Sequence, residues 1–111
     1  MTGRPTFEDF EALGFRVGTV LRAEMNDGAR DPGYQLWIDL GDEEAVQSSA
    51  KITDLYKVED LVGRQVVVVT GFEPIRVGGF RSDVLVIGAL TSNGVVLVEP
   101  DTHVEPGTVI S

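Results

Sequence analysis

Tyr34-Gln35-Leu36-Trp37-Ile38-Asp39-Leu40 alternates without a break. In an extended chain Tyr34, Leu36, Ile38 and Leu40 fall on one side, and Gln35, Trp37 and Asp39 on the other. A period of two reads as a strand with one face turned to a core. Trp37 stands out on the polar side. A large indole there either packs against a subunit or a covering loop, as indoles at interfaces do, or offers a flat surface to a ligand.

Working outward, Asn26-Asp27-Gly28-Ala29-Arg30-Asp31-Pro32-Gly33 is dense in turn formers and reads as an exposed loop. Before it, Phe15 to Met25 alternates as well, and the pattern predicts a core face of Phe15, Val17, Thr19, Leu21, Ala23 and Met25. Gly18 inside that strand removes a side chain where the backbone bends sharply or another chain passes close, and marks a coil or corner. After the acidic turn Gly41-Asp42-Glu43-Glu44, Ala45 to Ile52 reads as a third strand. Leu55, Val58, Leu61 and Val62 lie at helical spacing, which predicts one short helix over 53–62 with Thr53 as N-cap and Gly63 as stop. Arg64 to Thr70, Ser82 to Leu90 and Val95 to Glu99 complete about six strands, with Gly71 to Arg81 read as a loop and Asn93-Gly94 as a hairpin turn. The expectation is a single all-β domain spanning 1–111.

The 111 residues, 12.0 kDa, leave no room for a second core. Eighteen Asp and Glu against nine Lys and Arg give a net charge of −9, which argues against a protein held on phosphate by bulk charge. The imbalance is local: residues 64–98 carry three arginines and two acids, whereas residues 8–62 carry five bases and thirteen acids. With no cysteine there are no disulfides, thiolate metal sites or cysteine nucleophiles. The first ten residues show no apolar h-region, and the apolar runs reach only four residues, as in Val66 to Val69, so a cytoplasmic protein without membrane insertion is expected.

Catalytic chemistry finds little footing. The sole histidine, His103, sits in Asp101-Thr102-His103-Val104-Glu105 with no Gly-x-Ser-x-Gly elbow in the chain. Asp101, His103 and Glu105 alternate, as a nitrogen-and-oxygen metal set would, but a solvated tail ahead of Pro106-Gly107 accounts for them, and no metal is expected. Val77-Gly78-Gly79-Phe80-Arg81-Ser82 lacks the lysine and helix start of a phosphate loop. It does place Arg76 and Arg81 around two glycines and Phe80, a combination that can hold phosphate and base together. Equally, Phe80 could cap the end of a barrel.

Several segments, in order, carry a resemblance: Arg16-Val17-Gly18-Thr19-Val20, Ala29-Arg30-Asp31-Pro32-Gly33-Tyr34, Gln47-Ser48-Ser49-Ala50-Lys51-Ile52-Thr53, Leu61-Val62-Gly63-Arg64-Gln65-Val66 and Phe80-Arg81-Ser82-Asp83-Val84-Leu85-Val86. The chain resembles the CsaA family of export-related chaperones, stand-alone members of the tRNA-binding-domain OB-fold group, nearly end to end. The resemblance implies a five-stranded OB-fold Greek-key barrel with one short helix, its core at about residues 14–99, and terminal extensions that build a homodimer. It implies a non-enzymatic protein without cofactor, a chaperone for unfolded or export-destined polypeptides, with tRNA binding as the alternative.

The group's nucleic-acid features map to Arg30, Arg76, Arg81 and Ser82. With Tyr34, Trp37 and Phe80 these form the expected binding site, for peptide or tRNA. The apolar ends Phe7, Phe10, Val109 and Ile110 form the expected dimer interface. Asp31 and Gln35 stand where CsaA-like chains often carry lysine, which removes two phosphate contacts.

Overall fold

The alternation of residues 34–40 is realised in full. Tyr34, Leu36, Ile38 and Leu40 are buried, Leu36 and Ile38 completely, and the residues between them are partly exposed. Each fully buried aliphatic side chain contributes about 1.5–3 kcal/mol relative to exposure, and Val20, Leu61, Val66 and Val68 join the same cluster.

The computed structural model describes residues 3–111. Along the chain come α1 (Phe7–Ala12), β1 (Gly14–Met25), β2 (Tyr34–Asp39), β3 (Val46–Ala50), α2 (Val58–Leu61), β4 (Gln65–Thr70), β5 (Ile75–Val77), β6 (Phe80–Ser82), β7 (Leu85–Val86), β8 (Gly88–Thr91), β9 (Gly94–Leu97) and β10 (Val109–Ile110). The main sheet runs β3-β2-β1-β4-β7, with β10 added to β1, and every pairing is antiparallel. The sheet curls nearly shut. Asp83 N donates to Gln47 O at 2.8 Å, Gln47 N to Asp83 Oδ2 at 3.0 Å, and Ser49 N to the buried Ser82 Oγ at 3.1 Å, stitching β3 to the end of β6 and the residue after it. The expected five-stranded Greek-key barrel is what forms.

Several local expectations are corrected. The core face of β1 changes phase: Val20 before the shift and Ala23 after it are buried while Leu21 is half-exposed, because the register with β2 shifts between Val20 and Arg22, and Met25, at the strand's end, is half-exposed as well. An extra residue at the shift turns every later side chain to the opposite face. At Gly18 the neighbouring strand passes close: a Cβ on it would collide with Ile38 Cγ2. The predicted helix over 53–62 shrinks to the single turn α2, its N-cap is Lys57 with no side-chain cap bond, and Thr53 lies in a preceding turn.

A helix that the apolar spacing did not indicate, α1, is started by a capping box: Thr6 Oγ1 accepts from Asp9 N at 3.2 Å and Asp9 Oδ2 accepts from Thr6 N at 2.7 Å. The segment expected as a loop, 71–81, contains the hairpin β5–β6, turned by Gly78 and Gly79 at φ +59° and +81°. Both residues need positive φ, which is the two-residue turn that matches strand twist. The β8–β9 hairpin forms as expected, but Thr91 pairs with Gly94, so Ser92 and Asn93 make the turn.

Candidate binding surfaces

Trp37 leaves the polar side of β2 with Arg22 of β1 and Gln47 of β3 as its register neighbours. The Arg22 guanidinium carbon stands 4.4 Å above the indole centroid, and Phe80 from the β5–β6 hairpin meets the indole edge-on, centroids 5.3 Å apart at 74°. The covering loop expected for Trp37 is thus this hairpin. Both rings remain partly exposed. Three hydrogen bonds fix the hairpin and the 26–33 loop to β2: Asn26 Nδ2 to Val77 O at 3.0 Å, Gln35 Nε2 to Asn26 Oδ1 at 3.2 Å, and Asn26 N to Gly33 O at 2.9 Å.

The cations around this aromatic pair are largely spoken for. Arg22 pairs with Glu24, and Arg81 Nε donates to Asp83 Oδ1 at 2.7 Å. Lys51 pairs with Asp31 at 3.0 Å across the neighbouring loop. Arg76 lies opposite Arg81 in the hairpin register, and its Nη1 donates to Gly79 O at 2.9 Å. Arg76 and Arg30 have no carboxylate partner among the described residues.

Two of the expected binding residues sit elsewhere. Tyr34 is buried, its hydroxyl donating to Tyr56 O at 2.6 Å, and Ser82 is fully buried, donating to Val84 O at 3.0 Å and closing the barrel. Each faces inward because its strand position has core parity. Sequence reasoning missed Arg22 and Glu24, which reach the site only through the register shift in β1, and it missed Asp83, which neutralises Arg81.

A second surface forms at the chain ends. Phe7, Phe10 and Phe15 stack in a row with centroids 6.1 and 5.6 Å apart, and β10 lies beside β1 with Ile110 opposite Phe15 and Val109 opposite Arg16. A groove of about 450 Å³ runs between α1 and β10. Phe7 is 72% exposed and Val109 67%. The four apolar residues expected at a dimer interface are therefore neighbours in space. Asp101, His103 and Glu105 form no metal cluster: no group of three or more His, Asp or Glu among the described residues could hold an ion. Among those residues, too, no helix is long and apolar enough to cross a membrane.

Residues 15–109 match the family described as "Putative tRNA binding domain". The chain belongs to the tRNA-binding-domain family. Two solved members of similar size superpose over nearly their whole length. A CsaA chaperone from Bacillus anthracis is 46% identical, with TM-score 0.89 over 98% of this chain and 100% of that one. One from Picrophilus torridus is 38% identical, with TM-score 0.88 over 96% and 98%. The methionine–tRNA ligase of Methanothrix thermoacetophila is 43% identical over 101 residues, 91% of this chain. The chain spans only about 15% of that enzyme's length. The family is defined by binding rather than by a reaction, and its barrel is the one described above.

Proposed function

We propose that this chain is a cytoplasmic, non-catalytic homodimer, a CsaA-type chaperone that holds extended apolar segments of unfolded or export-destined polypeptides. The two subunits join through the Phe7–Phe10–Phe15 face with Val109 and Ile110, and clients lie across Trp37 and Phe80. One observation carries the choice of client over nucleic acid. The aromatic pair is partly exposed, but Arg22 and Arg81 beside it already face Glu24 and Asp83, so the site presents more aromatic surface than positive field. The likeness to two CsaA chaperones supports the same reading.

A tRNA-binding role is the second reading. It is favoured by the family and by Arg30 and Arg76, which lack acidic partners among the described residues. A dimer using Arg30, Arg76 and Arg81 from each subunit would neutralise about six phosphates, and log K would fall with log salt at a slope of about −4 to −5, from ~0.7–0.9 per contact.

The test titrates a fluorescent unfolded precursor peptide and a labelled tRNA into the same dimer over a salt series. We expect peptide binding to change little with salt and to weaken about 30-fold in Trp37→Ala, the ~2 kcal/mol of a buried aromatic anchor. Binding of tRNA alone, with the steep salt slope, reverses the ranking.

A further inference from the structure

The corner between Trp37 and Phe80 is closed by a ring of contacts that passes through Asn26. Asn26 follows the last residue of β1 and opens a loop of exposed turn formers, yet it is itself only 3% exposed. An asparagine in such a loop ordinarily bonds to its own turn. Asn26 reaches out of it. Its Nδ2 donates to Val77 O at 3.0 Å, 51 residues on, and its Oδ1 accepts from Gln35 Nε2 at 3.2 Å. Val77 is the register partner of Phe80, Phe80 meets Trp37, and Trp37 lies two residues from Gln35 on the same face of β2. The circuit through Asn26, Val77, Phe80, Trp37 and Gln35 closes on itself.

The β5–β6 hairpin forms a two-stranded sheet of its own, so no ladder to the main sheet sets its angle over β2. Two points do. At the base, Ser82 Oγ accepts from Ser49 N of β3. Toward the turn, Asn26 holds Val77, and there the two backbones touch, since a Cβ on Gly28 would strike Gly78 O. Asn26 is itself pinned, its N donating to Gly33 O at 2.9 Å and its O accepting from Ala29 N at 3.2 Å. A neutral amide suits this post, because it offers a donor to a carbonyl and an acceptor to a second amide without burying a charge. We propose that Asn26 is the positioning residue of the client site: it holds the hairpin so that Phe80 stands at 74° to Trp37, and the two rings form a ready-made corner for one apolar side chain of the client. The inference rests on the reading of Trp37 and Phe80 as the client surface.

Trp37 is the sole tryptophan, so its emission reports the placement of Phe80 with no ligand present. Asn26→Ala leaves Val77 O and Gln35 Nε2 without their partner and should weaken binding of the fluorescent precursor peptide about tenfold, as a buried polar group left unpaired does. Trp37 emission in the free protein should shift to the red and become more open to acrylamide, with circular dichroism and sedimentation unchanged. In a Phe80→Ala background the same change should add less than about twofold to the loss and leave the emission where it is, because no ring remains to be positioned. Gln35→Leu, which removes only the bond to Oδ1, should weaken the peptide about threefold with a smaller red shift, and it replaces the alanine variant if that one fails to fold. The proposal is overturned if Asn26→Ala, or Gln35→Leu in its place, binds peptide and emits like the parent. It is equally overturned if the loss in the Phe80→Ala background is as large as in the parent, the mark of a residue that serves only the barrel. A Trp37→Ala protein that binds peptide like the parent sinks the client surface instead, while the ligand-free emission still decides whether Asn26 holds Phe80 against Trp37.

Discussion

Two aromatic clusters sit on the outside of one barrel and are built for different company. Phe7, Phe10 and Phe15 stack with interplanar angles of 27°, and beside them Val109 and Ile110 add hydrocarbon. Trp37 and Phe80 meet edge-on, one face of the indole carries Arg22, and acids stand at the margin. A mostly apolar surface, with Glu11 and Arg16 at its margin, gains most from permanent cover, because every exposed ring costs in water. A surface that mixes rings with paired charges is content in water and can exchange partners. On the proposed function, the first cluster takes a subunit and the second a client.

The sharpest way to break this contrast is Phe10→Asp. In a two-fold interface each substitution faces its symmetry mate or near neighbours, so one change removes two aromatic anchors and adds two like charges. Sedimentation equilibrium should show dimer dissociation strengthened by at least about 100-fold, the several kcal/mol such a change costs. Peptide affinity per subunit should hold. A parent protein that sediments as a 12.0 kDa species at micromolar concentration would end the assignment of this face.

A smaller effect separates the two clusters from the other side. Gly78 holds φ +59°, and a Cβ there would strike the backbone of Gly28 and Ala29. Gly78→Ala should lift the β5–β6 hairpin from the 26–33 loop and carry Phe80 off Trp37. Strain of about 1–3 kcal/mol is expected, read as roughly tenfold weaker peptide binding with the dimer intact. If the dimer constant moves as much as the peptide constant, the two surfaces are not independent.

The uneven legibility of these regions has a physical cause. β2 could be read residue by residue because one strand with one buried face leaves its period in the sequence. β1 has the same period on both sides of Leu21 but in opposite phase, and no glycine or proline marks the shift. That hid Arg22, which meets Trp37 only in the register that the bulge creates. The same phase change puts Phe15 on the alternating face that the pattern predicts as core, although it stacks on Phe10 at the terminal face. Other features were written plainly and needed only the matching rule: Thr6 and Asp9 at capping-box spacing for α1, and Gly78-Gly79 for the hairpin. Tyr34 and Ser82 show the reverse error. Each is a plausible ligand residue by type, but strand parity turns it inward, and the barrel needs its hydroxyl.

The finest test concerns Arg22 itself, because its sign, not its size, decides between ligands. The guanidinium occupies one face of the indole at 4.4 Å, and an exposed contact of this kind is worth about 0.5–1 kcal/mol. For an apolar client the side chain competes for that face. Arg22→Gln then frees aromatic surface and tightens peptide binding about 2- to 5-fold. For tRNA the same change subtracts a positive charge and leaves Glu24 without its partner, so affinity falls and the salt slope becomes shallower by about 1. One variant, titrated with both ligands, moves the two affinities in opposite directions, and whichever ligand fails to follow its assigned direction is not held on the Trp37 face.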